Sequence, residues 1–340
     1  MVPTEPAAAT YSANIFAPVQ GVAPCTVHLK LEGVNVAGSI KIKTAVQMLT
    51  DLEEAGSVDG SRRLIESSSG NLGVALALVC AERGYPFTCV TDPNASVSAV
   101  RKMQALGAEV IEVRERDQTG NYLGTRIALI HSMCREDPNL LWLNQYANAS
   151  NWRAHYRMTA PEILAAFPHV DHLVIGAGTT GTLMGCARYF REHSPGTTIV
   201  GVDSVGSVTF GGTPGRRHIP GIGASRRPEI TDSSLIDRLL MVDEADAVRM
   251  CRSLAQRGLP VGGSTGSVLH SLRHLGDVLT PESVVVAVSP DMGDKYLDTI
   301  YSDDWVGERF PHLLGPPDTT VGGLESSVQW RLNIVGDRVG

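Results

Sequence analysis

From Thr26 onward, short runs rich in β-branched and apolar residues alternate with longer segments whose apolar residues recur at helical spacing. The short runs are TVHLKLE (26–32), RLIES (63–67), FTCVT (87–91), EVIEV (109–113), LLWLN (140–144), HLVIGA (172–177), TIVGVDS (198–204) and SVVVAVS (283–289). Between them NLGVALALVCAERG, VSAVRKMQALG, YLGTRIALIHSMCRE and TLMGCARYFREH gather apolar side chains on one face, and several close on glycine. This alternation predicts an α/β protein whose parallel sheets are covered by helices, with βαβ units over 63–113 and 172–204. There are no internal repeats and no low-complexity linker. After Trp305 the chain turns rich in Pro and Gly and ends in VQWRLNIVGDRVG, read as either an added strand or an arm over a partner subunit.

The bulk numbers narrow the partners. At 340 residues the chain has room for one large domain or two closely packed ones. A net charge of -7 argues against a nucleic-acid surface, which needs clustered Lys and Arg. No apolar run reaches the roughly 18 residues of a membrane helix. The opening MVPTEPAAATYS lacks the basic start and apolar stretch of a secretory signal, so a cytoplasmic protein acting on small molecules is expected. Cys25, Cys80, Cys89, Cys134, Cys186 and Cys251 form no CxxC pair and read as reduced core residues. The histidines show no HExxH spacing, so no metal is expected.

In open α/β sheets ligands collect where loops leave the carboxyl ends of strands, so a polar cluster between a strand and the next helix is a site candidate. Four clusters meet that condition. SSSGNLG (67–73) offers hydroxyls, amides and an asparagine to a carboxylate, or is an N-cap with spare serines. GAGTTGTLMG (176–185) has the glycines and threonine hydroxyls of a phosphate cradle. It also satisfies GxGxxG, with Asp203 about twenty residues on, so a dinucleotide-binding Rossmann unit competes. GGSTGS (262–267) reads by itself as a glycine-rich turn with a serine cap, and LNQYAN (143–148) brings Gln145 and Asn148 to a ligand or to its own loop backbone. Arg126, within a helical pattern, is ordinarily a solvent-facing residue, and His155 and His218 read as structural or surface groups.

A fifth stretch, GSIKIKTAV (38–46), opens an amphipathic helix with two lysines, where the helix dipole favours acids. Both lysines are solvated surface charges, or one of them is chemical. A lysine near a helix N-terminus in apolar surroundings is biased toward its neutral, nucleophilic form. Such a lysine, a carboxylate-binding Ser/Asn loop, a phosphate cradle and a distant serine together are what pyridoxal 5'-phosphate requires, and Lys41 is the expected lysine.

In this combination the sequence resembles the fold-type II pyridoxal-phosphate enzymes of the cysteine synthase and cystathionine β-synthase group. The resemblance spans roughly residues 15 to 305 and is carried in order by LEGVNVAGSIK, ESSSGNLG, GAGTTGTLMG and GGSTGS. It implies a tryptophan synthase β-like fold of two intertwined parallel-sheet α/β domains: 1–40 with 150–310 as the large cofactor-binding domain, 41–149 as the small one, and 311–340 as an extension. It implies that Lys41 is the Schiff-base lysine, that Asn71 bonds the ring 3'-oxygen, that Gly178, Thr179, Thr180, Gly181 and Thr182 hold the phosphate, and that Ser264 meets the pyridine nitrogen. Ser67, Ser68, Ser69, Gly70 and Gln145 would hold the substrate carboxylate. A neutral serine at the ring nitrogen suits β-elimination over transamination.

Within the family, ESSSGNLGVALAL, NQYANASNWRAHY, GSVTFGG, IPGIGASRRPEI, GGSTGS and PDMGDKYLDTIYSDDW are most similar to the N-(2-amino-2-carboxyethyl)-L-glutamate synthase branch, which supplies the precursor of 2,3-diaminopropionate for siderophores and peptide antibiotics. That branch implies a homodimer that replaces the phosphate of O-phospho-L-serine by the amine of L-glutamate by way of an aminoacrylate. Extra anions then call for extra cations, with Arg126 and Tyr146 ranked above Arg216, Arg217 and Arg226. Cysteine synthase, a serine/threonine dehydratase, the Rossmann reading and a non-enzymatic scaffold are the alternatives. Two departures stand out. Ile42 and Lys43 replace the family's Asp-Arg after the lysine, which puts an ion pair there in question, and Gly178 replaces a more usual serine, which removes a hydroxyl.

Overall fold

The computed structural model describes residues 14–59, 61–117, 120–315 and 333–334. Two sheets organise the chain. The larger contains β1 (Ile15–Val19), β2 (Val27–Leu31), β7 (His172–Gly176), β8 (Thr198–Ser204), β9 (Arg238–Val242), β10 (Val285–Ser289) and β11 (Asn333–Ile334), in the order β11-β1-β2-β10-β7-β8-β9. From β2 to β9 it is parallel, and β1 and β11 run antiparallel at one edge. The smaller, all parallel, holds β3 (Arg63–Ser67), β4 (Phe87–Thr91), β5 (Glu109–Glu112) and β6 (Leu140–Trp142), ordered β5-β4-β3-β6. Every residue of β4 and of β10 is buried, because helices cover both faces of a parallel sheet, which is why these strands read as unbroken apolar runs.

The helices that matter for the site are α1 (Lys41–Glu54), α2 (Asn71–Arg83), α3 (Val97–Ala105), α4 (Leu123–Glu136), α5 (Ala149–Ala154), α6 (Ala160–Ala166), α7 (Gly181–His193), α8 (Glu244–Gln256), α9 (Gly263–Ser271) and α10 (Asp303–Arg309). Helix α2 joins β3 to β4, and α7 joins β7 to β8, giving the anticipated βαβ units. One core lies against the smaller sheet, where Ile42, Met48 and Leu49 of α1 meet Leu72 and Leu76 of α2. Separate clusters fill the two faces of the larger sheet, one with Val268 and Leu269 of α9, the other with Leu183 and Phe190 of α7.

Strand order then fixes where loops converge. In the larger sheet β7, β8 and β9 step one way while β10 returns to the other side of β7, so a crevice opens at the carboxyl ends of β7 and β10. In the smaller sheet β3, β4 and β5 step one way while β6 returns beside β3, opening a second crevice after Ser67 and Trp142. All four polar clusters lie at these reversals or on the helix entering them. Strands β1 and β9 were not anticipated. IFAPV carries a proline and lies next to the edge strand β11, and RLLMV is an edge strand with Leu239 and Met241 exposed. Of the tail segment VQWRLNIVGDRVG, only the Asn333–Ile334 pairing with β1 is described, and the remainder lies outside the described residues.

Candidate active site

The crevice at β7 and β10 is a pocket of about 470 Å³, its open mouth included. Lys41, Gly178, Thr179, Thr180, Gly181, Thr182 and Ser264 all line it, with apolar walls from Ile40, Val268 and Val288. Residues from three distant stretches of sequence therefore meet in one cavity. Lys41 is the first residue of α1, placed by the Ile40 N–H donating 2.8 Å to the Pro290 carbonyl after β10. The side chain is only partly exposed, and burial lowers its amine to about 8. A neutral, nucleophilic fraction is thus present near neutral pH.

Opposite, the chain leaves β7 through Thr179 and Thr180 into α7. Thr180 holds φ at 64°, a left-handed conformation costly for a β-branched residue, and its hydroxyl bonds Thr231 at 3.0 Å. The thirteen-residue α7 directs its first-turn amides and the positive end of its dipole at the pocket. With three threonine hydroxyls, this is a donor set for a dianionic phosphate.

The cradle rests on α5, whose contribution was not foreseen. Asn151 and His155 are four residues apart and share a helix face. Asn151 Nδ2 donates to Thr179 Oγ1 at 3.1 Å and to the Gln145 carbonyl at 2.7 Å, so it joins the two crevices. The fully buried His155 begins a π-turn (His155–Thr159), with Nε2 at 3.2 Å from both Thr44 Oγ1 and Thr182 Oγ1 and Nδ1 at 3.0 Å from Thr159 Oγ1. Burial and then the neighbouring Lys41 and Lys43 charges push its pKa well below the usual value, so it is a neutral positioning group rather than an acid. The only sequence trace of this support is the polar pair at helical spacing in NASNWRAHY.

Glycines let α7 approach that face. A Cβ on Gly181 would lie 2.1 Å from Asn151 Oδ1, and one on Gly185 would lie 2.2 Å from the Trp152 carbonyl. Asn151 is fully buried and tied on both amide ends, so it cannot give way cheaply. Gly181→Ala is expected to displace the cradle and weaken pyridoxal-phosphate binding at least about tenfold, the cost of one or two misplaced charge-assisted bonds. Titration of the protein with the cofactor, followed by absorbance, checks this. At Gly178 a side chain would press on the Gly221 carbonyl at 2.7 Å, so the backbone fills the place of the missing serine.

The second crevice brings other expected residues together but not into this pocket. Gln145 donates through Nε2 to the Ser67 carbonyl at 3.0 Å, and its backbone N–H donates to Glu66 Oε2 at 3.1 Å. Glu66 also accepts from the Ser67 N–H at 2.7 Å; burial raises its pKa to about 7 against these bonds. The Ser67 hydroxyl is buried without a hydrogen-bond partner, while Ser68 Oγ accepts from the Gly70 N–H at 3.3 Å and the Gly73 N–H at 3.0 Å, which fixes the loop against the first turn of α2. Ser69 and Gly70 are partly exposed in the same loop. Asn71, the first residue of α2, is held between Asp291 and Lys295 at 2.7 Å each.

Arg126 proves to be buried rather than solvent-facing. It pairs with Asp92 at 3.3 Å, yet its Nε and Nη1 have no hydrogen-bond partner. Tyr146 is buried too, close enough to Arg126, Glu66, Arg226 and Arg217 to feel their charges, with the Arg226 guanidinium 5.5 Å from its ring centroid. Arg217 bonds the Ile222 carbonyl and Ser225 Oγ, and Arg226 pairs with Glu229. Asp203, the acid of the Rossmann reading, is fully buried, its Oδ1 accepting from the Ser204 N–H, and it does not line the pocket. The lysine pair is also resolved, since Lys43 makes buried ion pairs with Glu32 at 2.8 Å and Glu162 at 2.6 Å. An ion pair does form there despite the changed sequence. Among the described residues no helix is long and apolar enough to cross a membrane and no His/Cys/Asp/Glu group could hold a metal.

Comparison with known proteins places this geometry. Residues 13–291 match the family described as pyridoxal-phosphate dependent enzyme. The chain is 42% identical over 282 residues to the N-(2-amino-2-carboxyethyl)-L-glutamate synthase of Ralstonia nicotianae, covering 82% of this chain and 83% of that protein. It is 40% identical over 291 residues to the enzyme of the same name from Cupriavidus metallidurans, covering 84% and 85%. Among solved structures, the O-acetylserine dependent cystathionine beta-synthase from Helicobacter pylori superposes with TM-score 0.79 at 29% identity, covering 89% of this chain and 100% of that one. A hydrogen sulfide-producing enzyme from Fusobacterium nucleatum gives TM-score 0.79 at 28% identity, covering 87% and 100%.

Proposed function

Since the chain belongs to the pyridoxal-phosphate dependent enzyme family, we propose that it replaces the phosphate of O-phospho-L-serine by the amine of L-glutamate, giving N-(2-amino-2-carboxyethyl)-L-glutamate and phosphate, the precursor of L-2,3-diaminopropionate. The observation that carries this reading is the identity of 40% or more, over four-fifths of the chain, with two synthases of that name. The pocket suits the cofactor on its own terms: a helix N-terminus with three threonine hydroxyls faces an amine of lowered pKa, and Gly181 leaves no room for a side chain in the cradle.

Thr179, Thr180, Thr182 and the α7 amides would hold the phosphate, Lys41 the aldehyde carbon, Ser264 the ring nitrogen and Asn71 the ring oxygen. When bound, pyridoxal phosphate supplies an electron sink for the pair left at Cα as its proton departs. The chain supplies the rest. Lys41 Nζ takes the Cα proton and later returns it. The Ser67–Gly70 loop, fixed to Gln145, binds the amino-acid carboxylate. Arg126, whose Nε faces Asp92 and whose Nη1 has no hydrogen-bond partner, and Tyr146 beside it form the subsite for the leaving phosphate or the glutamate carboxylates. In balance, the Cβ–O bond to phosphate breaks, a Cβ–N bond to glutamate forms, and the glutamate nitrogen gives up one proton. We further propose a cytoplasmic homodimer, in keeping with six free cysteines, and a division into 1–40 with 150–310, which carries the larger sheet apart from β11, 41–149, which carries the smaller one, and the extension 311–340, which adds β11.

Mass spectrometry of the loaded protein with O-phospho-L-serine and L-glutamate tests the reaction. The conjugate and an equal amount of phosphate are expected. Turnover that requires sulfide and yields cysteine would replace this reading with cysteine synthase, and pyruvate formed regardless of glutamate would indicate a dehydratase.

A further inference from the structure

Asn71 opens α2 at the end of the smaller sheet, whereas Asp291 and Lys295 follow β10 of the larger one, more than two hundred residues away. Its carboxamide is bonded on both ends: Nδ2 donates to Asp291 Oδ2 at 2.7 Å, and Oδ1 accepts from Lys295 Nζ at 2.7 Å. The clamp is itself fixed. Asp291 is 1% exposed, its Oδ2 also accepts from the Tyr296 hydroxyl at 2.7 Å, and Gly262 packs against its Oδ1 too closely for any side chain. Lys295 reaches the Ala37 carbonyl at 3.4 Å, which ties it to the loop leading to Lys41.

An amide's two ends are similar in shape, so only its partners decide which way it faces. Here the partners are a cation and an anion. A flipped Asn71 would set its oxygen against the Asp291 carboxylate and its NH₂ against the Lys295 ammonium, two repulsive contacts in place of two charge-assisted bonds. In the observed orientation the remaining Nδ2 hydrogen is the only donor the side chain has left to offer a ligand.

We propose that Lys295 is a positioning residue which, with Asp291, locks the Asn71 amide so that it presents an N–H to the cofactor's ring oxygen. The proposal rests on the reading of Asn71 as the ring-oxygen partner. Neither Lys295 nor Asp291 is assigned any contact with the cofactor itself.

The test uses the holoenzyme and two readouts besides turnover, the maximum of its visible absorption band and the dissociation constant for pyridoxal phosphate. Lys295→Met is expected to shift the band and weaken cofactor binding on the order of tenfold, the consequence of a lost charge-assisted bond and a free amide flip. Lys295→Arg, which keeps a cationic donor, should restore the wild-type band. Lys295→Gln, able to donate or accept, should fall between them, and serves if Lys295→Met does not fold. Asn71→Ala separates the two layers. If it moves the band while Lys295→Met and Lys295→Gln do not, the lock is wrong and the Asn71 reading stands; if Asn71→Ala leaves band and affinity unchanged, that reading fails and the lock falls with it.

Discussion

Replacing Lys41 by alanine is expected to abolish turnover, by about 10³-fold or more, the scale on which a residue acting as both nucleophile and proton carrier matters. Among the described residues Lys41 is the one lysine lining the pocket, and it shares that pocket with the phosphate cradle and Ser264. Wild-type protein treated with pyridoxal phosphate and borohydride should carry the added mass on the peptide containing Lys41, and Lys41→Ala should carry none. Retained turnover would transfer the chemistry to another amine. The same substitution should make the cofactor-free protein more stable. Burial lowers the amine from 10.5 to about 8, so the folded state binds a proton less readily than the unfolded chain. The cost of burying the ammonium is therefore present in full below about pH 8 and disappears as the pH rises past 10.5. Allowing for partial solvent access, Lys41→Met should gain on the order of 2 kcal/mol at pH 7, and the gain should shrink in alkaline melts. Loss of activity with a gain in stability is the signature of a functional rather than a structural lysine.

How far the sequence discloses such a site depends on how its parts are distributed. The places of SSSGNLG, GAGTTGTLMG and LNQYAN at strand ends are legible in the sequence because each is contiguous and stands directly after an apolar strand run. Strand order then places them at the two reversals, where parallel sheets open. GGSTGS gave no local sign of its role, since a glycine-rich turn looks alike anywhere. Only in combination with the others did Ser264 acquire meaning. Asn151, Asp291 and Lys295, and the partners of the structural His155, are illegible for a different reason. They act by holding other residues, from helices and loops that show no ligand-binding pattern, and their partners lie up to 224 positions away in sequence. Arg126 becomes a site candidate only through the family resemblance, because helical arginines usually face water. Its burial depends on Asp92 at the end of β4, a contact that periodicity cannot reveal. Strand β1 escapes because its proline argues against a strand, and edge strand β9 because its short LLMV run, exposed on one side, carries no alternation to mark it.

Lys43 presents the opposite case to Lys41, two positions along the same helix. It is 2% exposed and lies within a set of four charges, three of them buried and Glu162 partly exposed, with Glu32 at 2.8 Å and Glu162 at 2.6 Å, while Lys30 reaches the same carboxylates at 3.2 and 2.7 Å. Two cations and two anions balance. Burial disfavours every charge, but the pairing overrides it: Glu32 ends below its usual pKa under the pull of Lys43 and Lys30, and Lys43 ends above its own through Glu32 and Glu162. Glu32 thus contributes stability that is present above its unfolded pKa of about 4.3 and is lost as the pH falls through the lower folded value. Lys43 contributes stability that is complete below about 10.4 and is lost as the pH rises through its higher folded value. At neutral pH both contributions are intact. Lys43→Met should then cost roughly 3–5 kcal/mol in urea unfolding at pH 7, because it strands a buried negative charge rather than merely removing one attraction. Adding Glu32→Gln restores the balance between Lys30 and Glu162, so the double variant should recover part of the loss. Strictly additive destabilisation would show that the four charges do not act as a unit. Since the network links the first turn of α1 to β2 and α6, its failure should also loosen Lys41, and the Lys43→Met holoenzyme should bind pyridoxal phosphate less tightly than the double variant.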